Sequence, residues 1–392
     1  MSLTNPELIK PLFTLSRQLV SMTSFALLCT VPGTVLSAEY NQQIDELFTD
    51  IAADAPGCNV GVVRGGEFIH KAGYGLANLE LDVPLDSDNV HRMGSVSKQF
   101  TALAVLILVE DELIDLNASL HRYIPGLRDY GADVTVNQVL GHIAGMADYD
   151  FISSGNDDED VAGGLNIKSA AGGAFRLGNE DYLTIEEFFD VVKQAGLRHP
   201  PGEKWEYSNL GYFLLSMLVE EVSGQSLRDF SEQRIFAPLG MNNSFFSDDA
   251  TEIVKNRAYG YSRNEAGAYV TDMTNLFWVG DGGLHTNLDD MLLWDRYLRN
   301  PTIGNSPPEL LELFNTPNSS LPARDALYAN GQFITETDLG ISYFHSGGWL
   351  GTTTWYGRLP EQDFSVMIMC NDVSLRPADY YDEIIEIFFG NG

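Results

Sequence analysis

Ser95 and Lys98 stand three residues apart in GSVSK (94–98), at the doorway of an uncharged run, TALAVLILV (101–109). Positions i and i+3 of a helix share a face, so hydroxyl and amine can touch if a helix starts at Ser95. The N–H groups and dipole of a first turn would then favour negative charge developing near the serine. A desolvated lysine releases its proton more readily, so Lys98 could take the proton of Ser95. Alone, the spacing is weak evidence, and a helix cap followed by a lysine that snorkels to solvent is the plainer reading.

Two further stretches carry suitable groups. In WEYSNLGY (205–212), Tyr207 and Asn209 alternate across a short extended segment ahead of a helix starting near Leu210. A phenol beside an ammonium group has its anion stabilised, which would let Tyr207 shuttle the serine's proton. Asn209 both donates and accepts, suiting it to hold Lys98 or a substrate amide. A buried tyrosine followed by an asparagine cap is the plainer alternative. In FHSGGWLG (344–351), a strand ends in adjacent glycines. Their bare edge would let a substrate lie along the backbone, with the Gly348 N–H facing an acyl oxygen. His345 and Ser346, followed by Gly347, would form a partly cationic, hydrogen-bonding wall for a carboxylate or carbonyl. A simple glycine turn is the alternative there.

Taken in this order, the three stretches resemble the serine β-lactamase and penicillin-recognising D,D-peptidase superfamily, in its class C-like branch with esterases and D-aminopeptidases. The likeness covers most of the chain after residue 38. It is carried by Ser-x-x-Lys at 95–98, Tyr-x-Asn at 207–209, and HSG at 345–347 where many relatives have Lys-Thr-Gly. LGHIAGM (140–146), PPGEKWEYSNLGY (200–212), IFAPLGMNNSFF (235–246) and GDGGLHTNLDDM (280–291) are similar to the family as well. The resemblance implies that Ser95 is acylated, that Lys98 and Tyr207 manage its proton, and that Asn209 orients. It also implies an oxyanion hole from the N–H groups of Ser95 and Gly348. His345 replaces a lysine that faces the substrate carboxylate in class C β-lactamases, so carboxylate binding should be weaker and pH-dependent. Ala144 stands where relatives often have serine, and His142 is expected to be structural. The glutamate that activates water in class A enzymes has no evident counterpart.

The elements that must position these residues follow a simple pattern. Residues 41–53 have helical spacing, and 58–75 read as two strands joined at Gly65-Gly66. A helix at 96–112, apolar nearly all round, should be buried. Capping-box spacings at Thr135/Gln138 and Thr184/Glu187 open further helices, and Gly224 stops the helix at 210–224. After one capped helix within 283–298, three strands follow at 339–348, 352–360 and 363–372, then a helix at 379–389. We therefore expect an α/β fold of the α+β type: an antiparallel sheet flanked by helices and built from both chain ends, with an inserted mainly helical lobe. In family terms it is β-lactamase/transpeptidase-like. The expected division is a signal peptide at 1–38, a sheet lobe from 39–114 and 275–392, and a helical lobe at 115–274. A Gly- and acid-rich flap spans 155–179, and the site should lie between the lobes.

Composition sets the surroundings. The 392 residues include 55 acidic and 23 basic side chains, a formal net charge of -32. Such a surface repels nucleic acid and anionic lipid and suits salty surroundings, although attraction of a cationic substrate is a second reading. Lys10 and Arg17 before an apolar stretch at 19–38, ending in Ser37-Ala38, read as an export signal cleaved before Glu39, which implies a periplasmic or secreted protein. A retained membrane anchor is the other reading, and no stable membrane insertion is expected after cleavage. Cys58 and Cys370 each sit in an expected strand and are read as two buried thiols, with pairing in an oxidising compartment as the alternative. The seven histidines are scattered and form no metal signature, so neither metal nor cofactor is expected. Asp157 to Asp160 read as a solvated charge run. Gly-x-Ser-x-Gly and Gly-x-Gly-x-x-Gly contexts are missing, which argues against an α/β-hydrolase or a dinucleotide enzyme. The expected function is an exported serine hydrolase forming an acyl-enzyme with a small-molecule or peptide amide or ester, with at most weak β-lactamase activity. A class C-like β-lactamase and a non-catalytic penicillin-binding-like scaffold are the alternatives.

Overall fold

The computed structural model describes residues 32–149, 152–153, 165–166, 183–274 and 279–390. The expected leader up to residue 31, the charge run at 157–160 and most of the expected flap lie outside them. Helix α1 (Pro32–Leu47) runs without a break through Ala38 and Glu39, the expected cleavage position. Strands β1 (Cys58–Arg64) and β2 (Glu67–Tyr74) form a hairpin, and β3 (His91–Arg92) leads into a tight 3-10 turn at Gly94–Ser97. Helix α2 (Lys98–Glu110) follows, then α3 (Val136–Leu140), α4 (Ile185–Val192) and α5 (Asn209–Ser223). Beyond these come β4 (Leu284–Thr286), α6 (Leu288–Arg299) and α7 (Pro307–Asn315). The chain ends through β5 (Leu327–Ala329), β6 (Gln332–Thr337), β7 (Gly340–Trp349), β8 (Thr352–Leu359), β9 (Phe364–Cys370) and α8 (Pro377–Phe389).

The main sheet has seven strands in the order β5-β6-β7-β8-β9-β1-β2, all antiparallel. The first hairpin is thus sewn onto the last strand of the chain. Alternation along β9 divides the core: Val366 and Ile368 pack with Ile44 of α1 and Ile384 of α8, while Met367 and Met369 face α2 and α6. Strands buried on both faces need apolar residues throughout, and FSVMIMC supplies them. Both capping boxes form as expected, with Thr135 and Thr184 accepting from the backbone of Gln138 and Glu187. Gly224 closes α5 in the left-handed conformation. Among the described residues, no helix is long and apolar enough to cross a membrane.

Two elements differ from expectation. Strands β5 and β6 extend the sheet beyond β7, and α7 packs on α2; LYA and QFITET are too short and mixed to stand out by pattern alone. Cys58 and Cys370, for which separate thiols are the preferred reading from sequence and pairing the alternative, form a disulfide. They are directly opposed in the β1–β9 register, a pairing that only the closed sheet creates.

Candidate active site

The serine sits in the 3-10 turn rather than inside a helix. Gly94 has a positive φ of 52°, and a methyl group there would come 2.7 Å from the Gly348 nitrogen. The turn is therefore pressed against the backbone of β7. Ser97 fastens it, donating to Gly94 O at 2.6 Å and accepting from Leu284 N at 3.0 Å. Ser95 stays partly exposed at the head of α2, while Lys98, one turn on, is fully buried.

Lys98 points at the serine. Its Nζ lies 3.3 Å from Ser95 Oγ, 2.7 Å from Asn209 Oδ1 and 2.6 Å from the main-chain oxygen of Asp281. Neither the Asn209 oxygen nor the Asp281 carbonyl can donate. Once the amine is neutral, its two protons occupy those short bonds and its lone pair is left facing the serine hydroxyl. Burial lowers the Lys98 pKa from 10.5 to about 8, against the fields of Asp281 and Asp148, which favour the ammonium. Roughly a tenth of the amine is then neutral at pH 7, compared with well under a thousandth for an ordinary lysine.

Asn209 opens α5, and the cap of that helix is Ser208, whose side chain accepts from Gly211 N. Asp148 fixes its amide: Oδ1 accepts from Asn209 N at 3.0 Å and Oδ2 from Asn209 Nδ2 at 3.3 Å, so Oδ1 of Asn209 must face Lys98. Tyr207 lies beside the pair with its ring 4.8 Å from Lys98 Nζ, as a cation–π contact. Its hydroxyl faces Ser95 without closing a hydrogen bond of normal geometry. The expected stabilisation of its anion is not found. Burial pushes the phenol well above its usual value, and Asp281 and Asp148 push in the same direction. Tyr207 thus remains a proton donor, and Lys98 is the group poised as a base.

His345 also departs from expectation. It is buried, with Nδ1 donating to Ser346 O at 2.6 Å and Nε2 accepting from Tyr328 OH at 3.1 Å. Burial and the nearby Lys98 charge lower its pKa to about 3, so it is neutral and offers no cationic wall. Phe333, Tyr328 and Tyr207 surround it. The exposed Arg324, in the loop before β5, adds its field to the same histidine. Ser346 and Gly348 are exposed, while Gly347 is buried. A Cβ at Gly347 would meet Met93 O at 2.0 Å and Thr354 Oγ1 at 2.2 Å, so only glycine fits beneath the serine turn. β6 pairs with β7 only as far as Phe344, so residues 345–349 have β8 on one side and the Ser95 turn against them. His142 packs behind Tyr207 at 4.3 Å between ring centres and accepts from Ser208 N through Nδ1 at 3.2 Å.

The structure thus brings Ser95, Lys98, Tyr207 and Asn209 together beside the Ser346–Gly348 edge. Asp148, Asp281 and Tyr149, whose hydroxyl donates to the Asp281 carboxylate, were not singled out from sequence. The one available signal was the need of a buried ammonium for acceptors, which named no residue. Among the described residues, no group of three His, Cys, Asp or Glu side chains could hold a metal ion.

Comparison with known proteins identifies the family. The Beta-lactamase family matches residues 44–386. The chain belongs to that family. A D-aminopeptidase of Gluconobacter oxydans is 25% identical over 81% of this chain and 56% of its own length. Penicillin-binding protein 4* of Bacillus subtilis is 25% identical over 79% of the chain and 66% of its own. Among family folds, the octameric penicillin-binding protein homologue from Pyrococcus abyssi superposes with a TM-score of 0.73 at 25% identity, covering 92% of this chain and 78% of that one. The chain spans little more than half the length of the D-aminopeptidase it matches.

Proposed function

We propose that this member of the Beta-lactamase family is a serine hydrolase that opens amide or ester bonds through an acyl-enzyme on Ser95. The observation that carries the reading is the three-acceptor setting of Lys98, which leaves a neutral amine only the serine hydroxyl to face. Ser95 Oγ bonds to the acyl carbon as its proton passes to Lys98 Nζ. The oxyanion is received by the N–H groups of Ser95 and Gly348. The tetrahedral intermediate expels its amine or alcohol, which takes a proton from Tyr207, and the Lys98 ammonium restores that proton. Water then attacks the acyl-enzyme by the reverse route. Asn209 positions Lys98, and Asp148 positions Asn209.

The neutral state of His345 favours acyl donors recognised without a carboxylate: amides and esters of the D-amino-acid peptidase or esterase type, with at most slow β-lactam hydrolysis. Arg324 supports a second reading in which a carboxylate-bearing peptide or β-lactam is accepted. We also infer export, supported by the Cys58–Cys370 disulfide, since such bonds persist in oxidising compartments.

A fluorophosphonate probe tests the enzyme reading: label on Ser95, lost in Ser95→Ala, is expected, and an unlabelled wild type would leave a scaffold. A parallel screen of D-amino-acid amides, p-nitrophenyl esters, a D-Ala-D-Ala peptide and a cephalosporin tests the substrate class. Fast cephalosporin turnover, independent of pH between 6 and 8, would favour a β-lactamase instead.

A further inference from the structure

The geometry points to a second binding site, a small-oxyanion pocket formed by Arg92 and Arg257 behind the serine turn, which goes beyond the proposed hydrolase reaction. A cavity of about 40 Å³ lies here, bounded by both guanidinium side chains, by His91 and His285 from the paired strands β3 and β4, and by Ser247 and Asp249. That is room for about three water-sized atoms, which suits a carboxylate or one face of a phosphate.

The charge at this cavity runs against the rest of the molecule. The chain carries a formal -32, yet two guanidinium groups meet here closely enough that the field of Arg257 opposes the charge on Arg92. Among the described residues, no carboxylate forms an ion pair with Arg257. Its Nε is buried without a hydrogen-bond acceptor, and its guanidinium carbon stands 5.5 Å from the Tyr259 ring centre. A buried donor on a fixed cation is costly unless an acceptor arrives. Asp249, which also lines the cavity, forms no ion pair with Arg257 among the described residues; its Oδ1 accepts from the backbone and the hydroxyl of Thr251, and the charge that acts on it is that of Arg228.

The other lining groups fix the ligand's polarity. His91 Nε2 is engaged by Asn59 Oδ1 at 3.0 Å and His285 Nδ1 by Gly283 O at 3.1 Å. Burial holds both imidazoles near pKa 3, so neither adds positive charge at neutral pH. The donors left to a ligand are therefore the N–H groups of Arg257 and the Ser247 hydroxyl, with Arg92 adding its charge, the set that recognises an oxyanion. Arg92 also donates through Nε to Gly282 O at 3.0 Å, next to the residue whose carbonyl holds Lys98, and its charge is favoured by the Asp281 carboxylate, so the pocket adjoins the catalytic groups and Arg257 is its arginine farther from them in the chain.

Thermal unfolding in rising inorganic phosphate, at constant ionic strength, tests the pocket. The wild type should show a saturable rise in Tm, as expected for a ligand that binds only the folded state. Arg257→Gln should lose that rise while still labelling with fluorophosphonate at Ser95. No rise in the wild type, or an equal rise in the variant, would overturn the proposal. If Arg257→Gln does not fold, Arg257→Lys, which keeps the charge but not the planar fork, should show a reduced rise, and a full one would overturn it. Kinetics identify the anion's source. Phosphate that competes with a D-Ala-D-Ala peptide but not with a neutral p-nitrophenyl ester marks the pocket as taking a substrate's carboxylate. Unchanged KM for both, with the Tm rise retained, marks a free small anion.

Discussion

Replacing Asp281 by asparagine isolates the electrostatic control of Lys98. The main-chain oxygen that holds the amine is unchanged by this substitution, and an asparagine can still accept from Tyr149, so the change is chiefly the loss of one negative charge. Nζ is 2.6 Å from the Asp281 carbonyl, and the carboxylate of the same residue is the larger of the two charges that favour the ammonium; a separation on the order of 6 Å sets the scale of its effect. At an effective dielectric constant near 20, unit charges at that separation interact by about 2.8 kcal/mol, or about two pH units. Arg92 beside the carboxylate offsets part of this, and burial, which raises the Asp281 pKa, works against its full charge, so the figure is an upper bound. The direction is fixed: the carboxylate favours the ammonium, so its removal makes Lys98 easier to deprotonate. In the wild type, kcat/KM for a p-nitrophenyl ester should rise about tenfold per pH unit on the acid side and level off near the Lys98 pKa of about 8. In Asp281→Asn, the same limb should level off at lower pH. An unmoved limb, or one displaced upward, would refute the assignment of Lys98 as the titrating base.

Further outcomes follow from the same geometry. Tyr207→Phe should depress turnover by a factor on the order of 100 to 10,000, the usual range for a general acid–base group, with little change in Tm; near-normal turnover would remove tyrosine from the chemistry. Gly347→Ala should abolish Ser95 labelling, because its methyl would meet Met93 O at 2.0 Å; a labelled, stable variant would show that the turn does not need the contact. Arg324→Ala should raise KM for a carboxylate-terminated peptide and leave a neutral ester unaffected, and equal effects on both would exclude carboxylate recognition by Arg324. Cys58→Ser should lower Tm, since the disulfide closes a loop of 312 residues and typical losses are about 2–5 kcal/mol; an unchanged Tm would mean the bond adds nothing to the fold.

What could be read from sequence was what local spacing controls. The approach of Ser95 and Lys98 depends on one turn of chain, and the burial of α2 depends on a run of apolar residues; both are properties of neighbours in sequence. The strands at 340–349, 352–359 and 364–370 announced themselves by length and by flanking turn residues. Properties that arise only on closure were hidden. Asp148 looks like any loop aspartate until α5 delivers Asn209 to it. Asp281 matters through its carbonyl as well as its charge, and no side-chain pattern reports a carbonyl. The HSG triplet suggested a titrating histidine, but its charge is decided by burial among Tyr328 and Phe333, and Phe333 lies on a strand that the pattern did not reveal. The disulfide likewise requires the register that places the first strand of the sheet beside its last.

The rate of Ser95 phosphonylation, followed by intact-protein mass between pH 6 and 10 in the wild type and in Lys98→Met, is the most direct measure of whether this amine activates this serine. The wild-type rate should climb through about pH 8 and then flatten, as the neutral amine becomes the major form. The variant should label far more slowly and keep rising with hydroxide across the whole range. Equal rates in the two proteins would contradict the assignment.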